Sequence, residues 1–408
     1  MEKVQARLIL ATIMLVSLLG TAGIALPYPI LSPYFMSGGD DPLINFGGID
    51  PKILLGIALA TYPLGILIGS NIIGSLSDRY GRKSILIYSL IGSILGYLVT
   101  GWAIQQSSFI GFITARLITG FCEGNISVAR AIAVELHPHI DRGRSLSLLY
   151  ATVYGGWLVG PLAGGYLMPY GIETPFYIAA IAVLLSLILV FFTLPDQPPQ
   201  KRSTLPLWQE IKSNHSATLL KIPAIRHFFI YYFIYTLGIN AYYEFYPLWL
   251  VESYSFNSKE IAWITVAITL LMVLVSSTIA EKIPKKIGEK KALLGGNLIF
   301  AGLIIVATFL DAESVYLPLA LTGAVIAVIN IVFPAMLSEY FGHHGQGKIM
   351  GLQVSVFCFT NVVIAIGGSI VALISATTTL WLAAALIVLS VFLFQTPEKQ
   401  LKNSTVEA

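Results

Sequence analysis

FIGFITARLITGFCEGNISVARAIAVEL, Phe109 to Leu136, decides how the rest of the chain is read. As a helix rising 1.5 Å per residue it spans about 40 Å, enough to cross a bilayer core of about 30 Å. Yet it carries Arg116, Glu123 and Arg130. Seven-residue spacing puts all three on one helix face. Glu123 falls near mid-depth, with an arginine roughly 10 Å to either side of it. A charge at that depth costs about 3 kcal/mol unless it meets a wet cavity or a partner. A ladder of ion pairs that only fixes packing is one reading. Three ions at depth are more than stability asks for, so a polar path through the bilayer is the stronger reading.

The composition agrees. Of 408 residues, 56% are hydrophobic and 11% charged, where a soluble domain carries about 25% charge. Long apolar segments with short polar breaks recur from end to end, which predicts a polytopic helical membrane protein. The first apolar span is expected to be retained as a helix. Cys122 and Cys358 both lie in apolar spans, so neither a disulfide framework nor a metal site is expected. There is no GxxxxGK[ST], HExxH or GxSxG, which argues against a nucleotide-driven pump or an enzyme.

The first span, Arg7 to Phe35, contains no acid; Gly20, Gly23, Pro27, Pro29 and Pro33 predict a kink in it. A polar loop, Ser37 to Pro51, leads to the second span, Lys52 to Leu76, which ends in GSLSDRYGRK. Gly74, Asp78, Arg79, Gly81, Arg82 and Lys83 are similar in type and spacing to the loop between helices 2 and 3 of the major facilitator superfamily. Glycine permits the tight turn, Asp78 suits a basic partner or a helix N-terminus, and the positive residues hold the loop in the cytoplasm. The resemblance implies a cytoplasmic latch. The third span is Ser84 to Ala103. In the fourth, Arg116 and Gly120 match the family's helix 4 pattern, in which proton-coupled members link the arginine to proton or substrate movement. His137 and His139 read as plain loop residues.

The fifth span holds GGWLVGPLAGG. Gly156, Gly160, Pro161, Gly164 and Gly165 resemble a helix 5 motif of the superfamily's antiporters, the tetracycline and multidrug exporters; tight glycine packing is the alternative. After the sixth span, Thr174 to Leu194, a polar stretch runs to Arg226. Leu205 to Leu220 within it suits a surface helix with Trp208 and Ile211 inward. The seventh span, His227 to Val251, bears a polar stripe of Thr236, Asn240 and Glu244 beside Tyr235, Tyr242 and Tyr246. The tyrosines suit packing or a substrate face. The family lines its cavity with helices 1, 4, 7 and 10, which implies that Arg116 and Glu244 approach each other.

Glu281 and Lys282 echo Asp78 and Arg79 at an offset of 203 residues, half the chain, as duplicated six-helix halves would. The same offset takes Gly164 and Gly165 to Gly367 and Gly368. The remaining spans are Ala292 to Leu310, Ser314 to Ser338, Ile349 to Ser375 and Thr378 to Gln395. They keep Asn330, Gln353 and Asn361 but no mid-depth charge; His343 and His344 sit in a loop. With the N-terminus inside, nearly all lysines and arginines outside the spans fall on the cytoplasmic side, leaving Lys52 and Lys259 on the other.

The sequence therefore predicts an all-α membrane protein of about twelve helices in two pseudo-symmetric six-helix bundles, the major facilitator fold. The expected parts are residues 1–194, a cytoplasmic linker 195–226, a second bundle 227–396 and a tail 397–408. The expected activity is proton-coupled export of a small organic molecule, multidrug or siderophore in type, by alternating access in the cell membrane, with both termini cytoplasmic. Glu123 is the first candidate proton carrier and Glu244 the second, with Arg116, Arg130 and Asn240 beside them. Burial and nearby arginines act on the Glu123 proton in opposite senses, as a switch needs. A proton-coupled importer of a nutrient or siderophore and a non-transporting receptor are the alternatives. No cofactor beyond the proton gradient, no metal and no nucleic-acid partner is expected; lipid and the small-molecule cargo are, and the chain is expected to act as a monomer.

Overall fold

A computed structural model describes residues 3–196, 216–280, 282–344 and 346–395, and among them there is no strand. The helices are α1 (Lys3–Ala25), α2 (Tyr28–Phe35), α3 (Pro51–Tyr80), α4 (Arg82–Gln105), α5 (Phe109–Glu123), α6 (Ile126–Glu135), α7 (Arg142–Leu167), α8 (Thr174–Thr193), α9 (Pro223–Tyr254), α10 (Ser258–Thr278), α11 (Lys282–Ile287), α12 (Glu289–Ala307), α13 (Tyr316–Phe341), α14 (Gln346–Ala372) and α15 (Ala376–Leu393). Ten stretches of the described chain are long and apolar enough to cross a membrane; α1 with α2 forms one of these, and α5 with α6 another. The 26-residue α7 and the 32-residue α9 bring the long segments to twelve. Helices alone satisfy their own backbone groups in lipid, which is why apolar runs of this length take this form.

Local chemistry sets the ends. Asp50, Ser108, Asp141 and Ser375 cap α3, α5, α7 and α15 by accepting amide hydrogen bonds from the first turn. The proline-rich first span bends between Ala25 and Tyr28, where Pro27 cannot donate to the ladder.

The chain forms two compact units: Met1–Asn214 with Phe256–Ala262, and His215–Ser255 with Trp263–Ala408. Six crossing segments belong to the first, α1 to α8, and six to the second, α9 to α15, with α10 beginning in the first. This is the all-α, two-bundle architecture expected from the sequence.

In lipid, apolar tails compete equally for apolar side chains, so close backbone approach decides packing. In the first unit, Gly65 and Gly69 of α3 interlock with Gly120 and Gly124 at the end of α5: a Cβ on any of the four would strike the other segment's backbone. Gly156, Gly160 and Gly164 of α7 meet the α1 backbone and its continuation over Leu18–Leu26 in the same way. In the second unit, Gly323 meets the Ile268 backbone and Gly238 the Ala383 carbonyl in the same way, and an aromatic cluster adds to the packing. Tyr232 stacks on Phe333 at 4.3 Å between centroids, and Phe228, Tyr231 and Phe394 close around them. Outward positions of α4 and α8, such as Leu95, Trp102, Ile181 and Phe192, are exposed and apolar, as a lipid-facing surface requires.

The internal echo is shifted. The α3–α4 turn is made at Gly81 (φ 99°, ψ 142°) and the α11–α12 turn at Gly288 (φ 90°, ψ 144°). These matching turns lie 207 residues apart, not 203, and the short α11 precedes the second. Both backbones need a φ that disfavours L side chains. Trp208, Ile211, Glu281, Gly345, the greater part of the linker and the tail lie outside the described residues. The end of the expected surface helix is a 3₁₀ segment, Ser216–Lys221.

Candidate functional site

In the first unit, α5 carries Arg116 and Glu123 two turns apart, and both are buried. The single helix expected from Phe109 to Leu136 is interrupted just past Glu123. Gly124 and Asn125 have ψ of −6° and −9°. The amides of Asn125 and Val128 bond three residues back, to Cys122 and Asn125. Glycine and asparagine are weak helix formers, and the Asn125 side-chain Nδ2 donates to Ser89 Oγ on α4 at 3.0 Å. Arg116 and Glu123 belong to α5, and Arg130 is half-buried on α6, beyond the bend.

The Arg116 guanidinium carbon lies 4.2 Å from the Tyr62 ring centroid on α3 and 5.8 Å from that of Phe176 on α8. Its Nε and Nη1 are buried and meet no acceptor among the described residues. Gly120, one turn further on, explains the stack, because a Cβ there would collide with the Tyr62 carbonyl. The arginine and the glycine thus act together: the glycine lets α3 approach, and the arginine covers the tyrosine that approaches. A desolvated cation–π contact is worth about 2 kcal/mol.

Neither carboxyl oxygen of Glu123 has a hydrogen-bond partner among the described residues. Gly23 of α1 and Tyr97 of α4 adjoin it: a Cβ on Gly23 would strike the Tyr97 hydroxyl and stand 3.4 Å from Glu123 Oε2. The Tyr97 and Tyr62 hydroxyls are also buried with no hydrogen-bond partner among the described residues. An acid, a stacked arginine and two phenols are therefore buried in the first unit, and among the described residues several of their polar atoms meet no partner. Such a site is expensive to maintain unless a proton, water or ligand uses it.

Arg82 is the centre of the α3–α4 turn. It pairs with Asp78, donates to Ser77 Oγ at 2.7 Å, and reaches Glu135 at the end of α6 at 3.0 Å. Lys83 lies 3.2 Å from the exposed Asp196, and Arg79 sits 5.7 Å from the Tyr80 ring centroid. Gly74 stands beside Ser127 of α6. The motif residues thus bind α3, α4 and α6 to one another. Sequence reasoning missed Glu135 and Ser77. The available signal was an acid closing a span on the same membrane side as a basic loop.

In the second unit, Asn361 of α14 donates to Glu244 Oε1 at 2.8 Å, and Asn240 donates to Thr360 Oγ1 at 3.0 Å and to the Phe357 carbonyl at 3.1 Å. Asn361 thus joins the predicted polar stripe, whereas Thr236 turns back to its own helix, bonding the Tyr232 carbonyl at 2.7 Å. Asn330 is exposed on α13. The tyrosines divide. Tyr242 and Tyr246 bond Thr322 and Thr265 of neighbouring helices, and so pack. The Tyr235 hydroxyl is buried and has no hydrogen-bond partner among the described residues. On α7, Gly156, Gly160 and Gly164 are filled by the first span, and Gly165 faces Ser258 and Ala262, so the helix 5 motif has a packing role whatever else it does.

Two bundles of apolar helices with ionisable side chains buried inside them are the make-up of a polytopic membrane transporter. The chain belongs to the Major Facilitator Superfamily, whose model matches residues 8–286 and 228–408. It is 26% identical to a tetracycline resistance protein, class H, of Pasteurella multocida over 358 residues, 86% of each chain. It is 26% identical to multidrug resistance protein 2 of Bacillus subtilis (strain 168), covering 83% of this chain and 82% of that one. Among solved structures, the human organic anion transporter MFSD10 (TETRAN) superposes with a TM-score of 0.72 at 19% identity, over 96% of this chain and 99% of that one. A member of this superfamily is a transporter, not an enzyme.

Proposed function

We propose that this protein exports a small organic molecule in exchange for protons, by alternating access. The observation that carries the reading is Glu123: a buried carboxyl at a helix bend, next to Gly23 and the Tyr97 hydroxyl and two turns from a stacked arginine. A proton taken up there removes a charge from a dry site, and its release restores one, so the preferred helix packing differs between the two states. An inward-moving proton supplies about 2.3 kcal/mol per 100 mV of membrane potential. Arg116 is placed to hold an anionic group of the cargo when Glu123 is neutral. Glu244 and Asn240 are the corresponding polar groups of the second unit. The similarity to tetracycline and multidrug resistance proteins supports the outward direction, as does the resemblance of the α7 glycine–proline pattern to antiporters. The first span has no acid, which weighs against a metal-chelate cargo and in favour of a carboxylate-bearing or zwitterionic metabolite, siderophore-like in chemistry. In this reading the protein works as a monomer in the cell membrane with both termini cytoplasmic, and its two halves are joined by the linker near residues 195–226.

The test compares spent medium from cells making the native protein, cells making Glu123→Gln and cells lacking it, profiled by mass spectrometry. A compound enriched outside only with the native protein supports export and names the cargo. A compound depleted instead would make the protein an importer. If Glu123→Gln matches the native protein while both differ from the null, the proton is carried elsewhere.

A further inference from the structure

In the second unit, two buried amide oxygens meet no donor among the described residues. Asn240 on α9 is fully buried and spends its amide NH2 on the Phe357 carbonyl and Thr360 Oγ1, while its Oδ1 meets no donor among the described residues. The Thr360 hydroxyl is also spent, on the Val356 and Phe357 carbonyls. One turn along α9, Glu244 accepts from Asn361 Nδ2, and the Asn361 Oδ1 is likewise buried without a donor. Two cross-helix bonds, 240 to 360 and 244 to 361, therefore bring three oxygen-bearing side chains within about one helical turn. Turning either amide over would not help: the Asn240 nitrogen would leave two acceptors, and the Asn361 nitrogen would leave a carboxylate.

We propose that the α9–α14 contact binds a sodium ion, with the Asn240 and Asn361 amide oxygens and the Glu244 carboxylate as ligands. The chemistry selects the class. Surplus carbonyl-type oxygens suit a hard cation, and there is no sulfur or imidazole in the set to favour a softer metal. A proton would need only the carboxylate and would leave both amide oxygens as they are. One carboxylate balances one positive charge, whereas a divalent ion would leave net charge buried. The site lies wholly within the second unit and does not depend on Glu123.

The test uses the full-length protein purified in detergent and binding of 22Na+ measured by scintillation proximity. Saturable binding is expected, displaced by NaCl but not by choline chloride. Glu244→Gln, Asn240→Ala and Asn361→Ala are each expected to weaken it at least tenfold. Asn297→Ala, which alters a separate buried network with Tyr231 and Ser390, should leave affinity unchanged. Absence of saturable binding by the native protein overturns the proposal, as does full binding by Glu244→Gln. Should the variants fail to fold, native protein stabilised equally by sodium and choline chloride would overturn it, and stabilisation by sodium alone would support it. Sodium binding without export, or export without sodium binding, separates this inference from the transport reading.

Discussion

Arg116 shows how much a single contact can settle. Its charge and its relation to Gly120 are written in the sequence, but the Tyr62 ring beneath it is 54 residues away in the chain and is set by the α3–α5 approach. Lysine keeps the charge but cannot stack a planar guanidinium. Arg116→Lys is expected to slow cargo flux about tenfold, the equivalent of about 1.4 kcal/mol, with little loss of thermal stability; initial rates in membrane vesicles check it. Asp41, in the loop after α2, gives a pH prediction. Burial raises its pKa, but hydrogen bonds from Tyr34 (2.5 Å), the Leu43 amide (2.9 Å) and Ser107 outweigh that and hold it below the ordinary 3.8. A depressed carboxyl contributes stability that is present above its unfolded value and lost as pH falls through the folded one. Native protein should therefore lose this contribution below about pH 4, and Asp41→Asn should lack that part of the acid response in thermal unfolding.

Between helices, the packing of particular glycines separates those that matter from those that do not. Gly120 faces the Tyr62 carbonyl, so Gly120→Val must push α5 off α3 and carry Arg116 with it. A loss of about 1–3 kcal/mol and of flux is expected. Gly367, the sequence echo of Gly164, has open space where a Cβ would go. Gly367→Ala should change stability by no more than about 0.5 kcal/mol. Melting both variants in detergent distinguishes them; equal losses would contradict the packing described. Composition could not tell these glycines apart, because the difference lies in what the neighbouring helix presents. The bend at Gly124–Asn125 was concealed for a similar reason. Its weak helix formers stand in the sequence, but the partner of the Asn125 side-chain Nδ2, Ser89, is 36 residues away.

At the scale of the whole molecule, transport driven by protons should depend on the gradient. Adding a protonophore is expected to abolish the outward accumulation of cargo by native cells within minutes, while leaving binding of that cargo to purified protein intact. Persistence of the cargo gradient after the proton gradient collapses would remove protons as the energy source. The membrane architecture behind this expectation was legible from hydropathy alone, since bilayer thickness fixes helix length and the lack of water inside fixes helix as the form.

By itself, the sequence determined the class of protein, the twelve crossing segments, the α3–α4 turn motif and the buried identities of Arg116, Glu123 and Glu244. Apolar run length, lysine and arginine placement and short-range spacing are local properties, and they need no knowledge of neighbours. Only the tertiary structure decided that Glu135 completes the Arg82 clamp, that Tyr97 and Gly23 flank Glu123, and that Asn361 meets Glu244. Each of these joins residues on different helices. In lipid, which helix faces share an interface is set by small-residue backbone contact and polar pairing, not by hydrophobicity, and no one-dimensional pattern encodes that choice.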